Sequence, residues 1–126
     1  MKLEDAKILI CDDSILARKQ LTDIISPFKV NSILEASNGQ EVVTLYKEHL
    51  PHIVFLDIVM PVKDGLAAIS EIMEINPDAD IVVVSSVGTQ SQLRQAIQLG
   101  AKDFIQKPLN GWQIESILKN RFEGGE

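Results

Sequence analysis

The chain has 126 residues, enough for one domain that buries a sizeable core without staples. Its 45% hydrophobic and 24% charged residues suit a soluble globular domain, and no apolar run is long enough to cross a bilayer. A net charge of -6, from 18 acidic and 12 basic side chains, argues against direct binding of nucleic acid. The single cysteine, Cys11, excludes an internal disulfide framework and suits a reducing cytoplasmic setting.

Met1–Asp5 contains no apolar stretch between a basic start and a cleavage site, so no signal peptide is expected. Beyond it, short apolar runs alternate with amphipathic stretches. The runs are Ile8–Cys11, Ile33–Leu34, Ile53–Leu56, Ile81–Val84 and Phe104–Ile105. Three of them are continuous and rich in branched residues, as strands buried on both faces of a parallel sheet are. Ile15, Leu16 and Leu21, with Ile24 and Ile25, follow the first run at helical spacing. Val42, Val43 and Tyr46 follow the second, and Leu66, Ile69, Ile72 and Met73 the third. Leu93, Ala96 and Ile97, then Ile114, Ile117 and Leu118, complete the set. Ser14 reads as the cap of the first helix, Thr89 with Gln92 as a capping box for the fourth, Gly100 as its end, and Pro77 as a stop after the third.

Five β-α units in series predict an α/β fold, a five-stranded parallel sheet with five helices on its two faces, all within one domain over residues 1–126. Right-handed crossovers leave few topologies, one of which is the doubly wound, flavodoxin-like order 2-1-3-4-5. Sites in such sheets lie beyond the C-terminal strand ends, where strands 1 and 3 diverge. Asp12 and Asp13 leave strand 1, and Asp57 closes strand 3. Ser85 and Ser86 close strand 4, and strand 5 leads to Lys107 and Pro108.

Three carboxylates brought together repel one another, and either raise a pKa or recruit a cation. Hard oxygen ligands at a solvent-reachable edge suit Mg²⁺, which keeps several waters. One Mg²⁺ and Lys107 would balance Asp12, Asp13 and Asp57. A phosphoryl group on Asp57 would remove one negative charge and add up to about two, leaving roughly one in excess for Ser85 and backbone N–H groups to stabilise. The set therefore suits in-line phosphoryl transfer to a carboxylate nucleophile.

At these residues the sequence resembles the receiver domain of two-component response regulators, of the stand-alone chemotaxis (CheY-like) type. The resemblance rests on Asp12-Asp13, on Asp57 with Met60-Pro61 and Asp64-Gly65, on Val84-Ser85-Ser86, and on Gly100–Phe104 running into Lys107-Pro108. It implies that Asp57 is the phosphoacceptor, Asp13 a direct metal ligand, Asp12 the holder of metal-bound water, and the Val59 carbonyl a further ligand. Ser85 and Lys107 would contact the phosphoryl group, and the Lys107-Pro108 bond would be cis. The phosphate would come from a histidine kinase or phosphotransfer domain, consistent with the lack of any P-loop or G-x-G-x-x-G pattern.

Four departures and weaker features qualify this. Phe104 stands where relatives often carry tyrosine, so an aromatic switch coupled to Ser85 would work by rotamer and packing alone. In the family it resembles, the positions of Val59 and Val87 tune hydrolysis, and two apolar side chains there imply slow self-dephosphorylation. Trp112 points away from the core face of the last helix and is a candidate anchor, with Phe104, on a partner face made by helix 4, strand 5 and helix 5. His49 and His52 lie at the opposite end of the sheet and read as surface residues.

The leading expectation is a phosphorylation-controlled binding module that is not an enzyme beyond its own modification, either a monomer or a phosphorylation-dependent dimer. The alternative is a receiver excised from a larger response regulator with a DNA-binding or enzymatic output, with Glu123–Glu126 as the start of a linker. A hydrolase with a nucleophilic aspartate would need a general acid and a substrate-covering insertion, and the sequence offers neither. The complete set of acids, Ser85 and Lys107 argues against a receiver that is never phosphorylated.

Overall fold

The computed structural model describes residues 1–60, 62–86 and 90–122. The chain runs β1 (Lys7–Cys11), α1 (Ile15–Ile25), β2 (Ser32–Ala36), α2 (Gly39–His49), β3 (Ile53–Asp57), α3 (Gly65–Ile75), β4 (Ile81–Ser85), α4 (Gln90–Leu99), β5 (Asp103–Gln106) and α5 (Gly111–Arg121). All the strands are parallel, in the order β2-β1-β3-β4-β5, as the sequence predicts.

Strand side chains alternate between the faces of the sheet, so each strand feeds two cores. Leu9, Cys11, Val54, Leu56, Ile81 and Val83 pack with α2, α3 and α4. Ile8, Ile10, Ile53, Phe55, Val82 and Val84 pack with α1 and α5. The three central strands therefore consist almost wholly of apolar residues. The edge strands β2 and β5 are only half covered.

Local chemistry sets the helix ends. The Ser14 hydroxyl accepts from the Ala17 N–H, Asn38 from Glu41 and Asp64 from Ala67, each satisfying a free donor of the first turn. Gly100 takes φ +125°, a left-handed conformation that closes α4 and favours glycine. The expected Thr89 cap lies outside the described residues.

Two predicted core faces need correction. In α1 the sheet-facing positions are Ala17, Leu21 and Ile25, whereas Ile15 and Leu16 are exposed. Residues four apart share a face, so Ala17, Leu21 and Ile25 line the buried side of the helix and Ile15 and Leu16 fall outside it. In α4 only Ala96 is buried, and Ile97 is exposed. His52 is also more than a surface residue. Its Nδ1 accepts the Lys7 N–H at 2.9 Å, and its ring meets Phe122 edge-on. Among the described residues no helix is long and apolar enough to cross a membrane.

Candidate functional site

β1 and β3 are neighbours whose following helices, α1 and α3, depart to opposite faces of the sheet. This opens a crevice beyond their C-terminal ends. The chain leaves β1 with Asp12 still tied to β2, because its N–H donates to the Ala36 carbonyl at 3.1 Å. Asp12 Oδ1 accepts the Ser14 N–H at 2.9 Å, so the residue that caps α1 also orients the acid. Asp12 is 1% exposed, while Asp13 is exposed. β3 delivers Asp57, 5% exposed, whose Oδ1 accepts the Val59 N–H at 3.1 Å.

Lys107 arrives from β5. Its N–H donates to the Ser85 carbonyl at 2.7 Å, and its bond to Pro108 is cis. Its Nζ lies 2.9 Å from Asp12 Oδ2 and 3.3 Å from Asp57 Oδ2, so one ammonium bridges both buried carboxylates. Oxygens of Asp12, Asp13 and Asp57 lie within 4.8 Å of one another.

The electrostatics follow from this crowding. Burial pushes the Asp57 carboxyl above its ordinary value and the Asp12 charge adds to the rise, against the Val59 N–H and Lys107, which favour the carboxylate. Burial alone would lower Lys107, but the close Asp12 carboxylate and the charge of Asp57 outweigh it and leave the ammonium raised. Burial drives the Cys11 thiol far up, and Asp12 and Asp57 reinforce the effect, so it is an inert apolar group here. Its Sγ rests 3.2 Å from Met60 Sδ.

The donor set fits a hard dication. Ligands on opposite sides of an octahedral Mg²⁺ are about 4 Å apart, close to the spread of these carboxylates. Asp12 Oδ2 is buried and, apart from its ion pair with Lys107, has no aligned hydrogen-bond donor among the described residues. Such an atom can take a metal-bound water. The arrangement can thus hold a cation beside a partly desolvated carboxylate nucleophile with a lysine alongside.

The other predicted residues are spread around this centre. The Ser85 hydroxyl is buried and donates to the Ile105 carbonyl at 3.4 Å, across to β5. Phe104 is 50% exposed and borders a cavity with Ser85, Ser86, Gln90, Leu93 and Gln106. Trp112 is 72% exposed on α5, as its position opposite Ile114, Ile117 and Leu118 predicts. It lines a shallow groove with Glu115, Ser116, Lys119 and Asn120. Val59 is exposed beside Asp57, and Val87 lies outside the described residues.

Two further residues support the site: Arg18, which the sequence did not single out, and Gly65, which it offered only as part of the Asp64-Gly65 turn. Arg18, on α1, donates to the Asp12 carbonyl at 2.6 Å and to Glu35 at 3.1 Å. Gly65 packs so tightly against the end of β3 that a β-carbon on it would lie 2.6 Å from Ile58 Cα and 2.8 Å from the Asp57 carbonyl oxygen. The Asp64-Gly65 pair could have flagged the second, since a glycine opening a helix beside a strand end signals close approach. For Arg18 there was no signal, because its partners become neighbours only in the fold.

A doubly wound sheet with an acidic trio at its β1–β3 switch point and a lysine from β5 defines the receiver class of signalling domain. Residues 8–119 match the family described as the response regulator receiver domain. Over 112 residues the chain is 48% identical to the chemotaxis protein CheY of Thermotoga maritima, covering 89% of this chain and 93% of that one. It is 45% identical to the chemotaxis protein CheY of Bacillus subtilis, covering 90% and 92%. Among solved structures, the CheX–CheY–BeF3–Mg²⁺ complex from Borrelia burgdorferi superposes with a TM-score of 0.82 at 38% identity, covering 88% of this chain and 84% of that chain. The chain belongs to the response regulator receiver family and is a CheY-like two-component response regulator.

Proposed function

We propose that Asp57 accepts a phosphoryl group from a phosphohistidine of a histidine kinase or phosphotransfer domain. An Asp57 oxygen attacks phosphorus in line, the P–N bond of the donor breaks as the P–O bond forms, and the donor imidazole takes up a proton. The observation that carries this reading is the single Lys107 ammonium bridging Asp12 and Asp57 within an acidic trio. Asp13 and the Val59 carbonyl would hold Mg²⁺ together with Asp57, and Asp12 would hold its water. Bound there, the ion supplies charge neutralisation for the transferring oxygens. The solved Borrelia relative, whose complex contains Mg²⁺ and BeF3, supports this choice of metal.

Lys107 is placed to follow the new charge by exchanging its contact with Asp12 for one with the phosphoryl oxygens. Ser85 would leave the Ile105 carbonyl to donate to the same group, and Phe104 would refill the space beside it. That movement would reshape the α4–β5–α5 face, where Phe104 and Trp112 are exposed, and an output protein would read the change. The chain would act as one cytoplasmic receiver domain in chemotaxis, monomeric or dimerising on phosphorylation, with no catalysis beyond its own modification.

Beryllofluoride with Mg²⁺ tests the switch. Amide shifts on β4, α4, β5 and α5, together with the fluorescence of the sole tryptophan, should change in the wild type and stay fixed in Asp57→Asn. Changes confined to the acidic pocket would remove the proposed output face.

A further inference from the structure

We propose that Arg18 is a positioning residue for the metal site: clamped between the Asp12 carbonyl and Glu35, it fixes the peptide that carries Asp13 and so orients Asp13 as a ligand. The inference rests on the Mg²⁺ reading above.

The three carboxylates of the site differ in how they are held. Asp12 has Ser14 N–H on one oxygen and Lys107 on the other. Asp57 has Val59 N–H on one and Lys107 on the other. Asp13 is exposed, and its carboxylate makes no hydrogen bond or ion pair with the described residues. A ligand with a free side chain depends on its backbone for direction. That backbone begins at the Asp12–Asp13 peptide, whose carbonyl oxygen receives Arg18 Nη1 at 2.6 Å.

Arg18 is itself held. Its side chain is only 16% exposed, and its Nε donates to Glu35 Oε1 at 3.1 Å. Glu35 lies on β2 opposite Ile10 of β1. One planar guanidinium therefore ties α1, the turn after β1 and the edge strand β2 together, a two-pronged task that suits arginine over lysine. Groups that orient metal ligands from behind typically change affinity by about 10- to 100-fold when removed.

Charge makes the opposite prediction. A cation close to a dication site repels it, so an Arg18 acting only through charge would bind Mg²⁺ more tightly once neutralised. The sign of the change therefore separates the two roles.

The test is an Mg²⁺ titration of metal-stripped protein, followed by backbone amide shifts so that weak binding stays measurable. Arg18→Met should weaken Mg²⁺ about tenfold, whereas Lys19→Met, on the exposed side of the same helix, should leave it unchanged. In an Asp13→Asn background Arg18→Met should have no further effect, because the residue it orients is gone. Unchanged or tighter binding in Arg18→Met, or an undiminished loss in the Asp13→Asn background, overturns the proposal. If Arg18→Met does not fold, Arg18→Lys keeps the charge but cannot hold both partners. It should bind about two- to threefold more weakly, and wild-type affinity there overturns the clamp. A wild type that binds no Mg²⁺ at the acidic trio would instead defeat the metal reading itself.

Discussion

Lys107 lies closer to Asp12, at 2.9 Å, than to Asp57, at 3.3 Å. In this state the lysine serves both carboxylates and is not committed to Asp57. Removing it in Lys107→Ala leaves two buried acids facing each other. Breaking a fully buried pair costs about 3–5 kcal/mol, and partial access of solvent reduces that here to about 1–2 kcal/mol. Denaturation in chelator should show that loss. Saturating Mg²⁺ should recover most of it, since a ligand at one hundred times its Kd contributes about 2.7 kcal/mol.

Asp57 predicts the pH dependence of the metal-free protein. Its folded pKa is raised by burial and by Asp12 above the ordinary 3.8. Between those two values the folded state holds more protons than the unfolded state, so stability falls as pH rises through that window. The penalty is absent below the ordinary value and complete above the raised one. Asp57→Asn should remove this fall and be more stable than wild type at neutral pH in chelator. The difference between the two proteins' melting temperatures across pH measures it, and it should shrink when Mg²⁺ is added to the wild type.

Gly65 predicts a coupling between packing and chemistry. In Gly65→Ala the new methyl group would press on the backbone of Ile58 and Asp57, so the strand end must move. Overpacking of this kind costs about 1–3 kcal/mol. Because Asp57 moves with it, the rate of phosphorylation by acetyl phosphate should fall at least about tenfold, since small misplacements of reacting groups are costly. Gly111→Ala, whose β-carbon would meet only Ile24 side-chain atoms at 3.8 and 3.9 Å, is the matched control and should change neither property.

Val59 predicts a long-lived modified state. An exposed apolar side chain beside Asp57 cannot hold a water for attack on phosphorus. Val59→Asn supplies an amide that can, and should speed loss of the phosphoryl group several-fold in single-turnover decay. An unchanged decay rate would remove position 59 from the account.

The parallel sheet was legible because Ile8–Cys11, Ile53–Leu56 and Ile81–Val84 are apolar on both faces, while its order was one of the few that right-handed crossovers allow. Strand ends were legible for the same reason, and with them the convergence of Asp12, Asp13, Asp57 and Lys107. Helix faces were less so. Ile15 and Leu16 read as core by hydrophobicity, yet the buried positions are Ala17, Leu21 and Ile25, because the angular position on the helix outweighs apolar character. The support that Arg18 gives the site was hidden for another reason. Arg18 and Glu35 are 17 residues apart and meet only because β1 and β2 pair in register. Side-chain direction was also beyond reach, as the bond from Ser85 to the Ile105 carbonyl illustrates.

The most direct test of the central claim is to map the phosphoryl group. The protein is incubated with acetyl phosphate and Mg²⁺, the acyl phosphate is trapped by borohydride reduction, and the peptides are sequenced by mass spectrometry. The account predicts one modified residue, Asp57, with labelling abolished by chelator and by Asp57→Asn. Label on another residue, or equal labelling of Asp57→Asn, would contradict it.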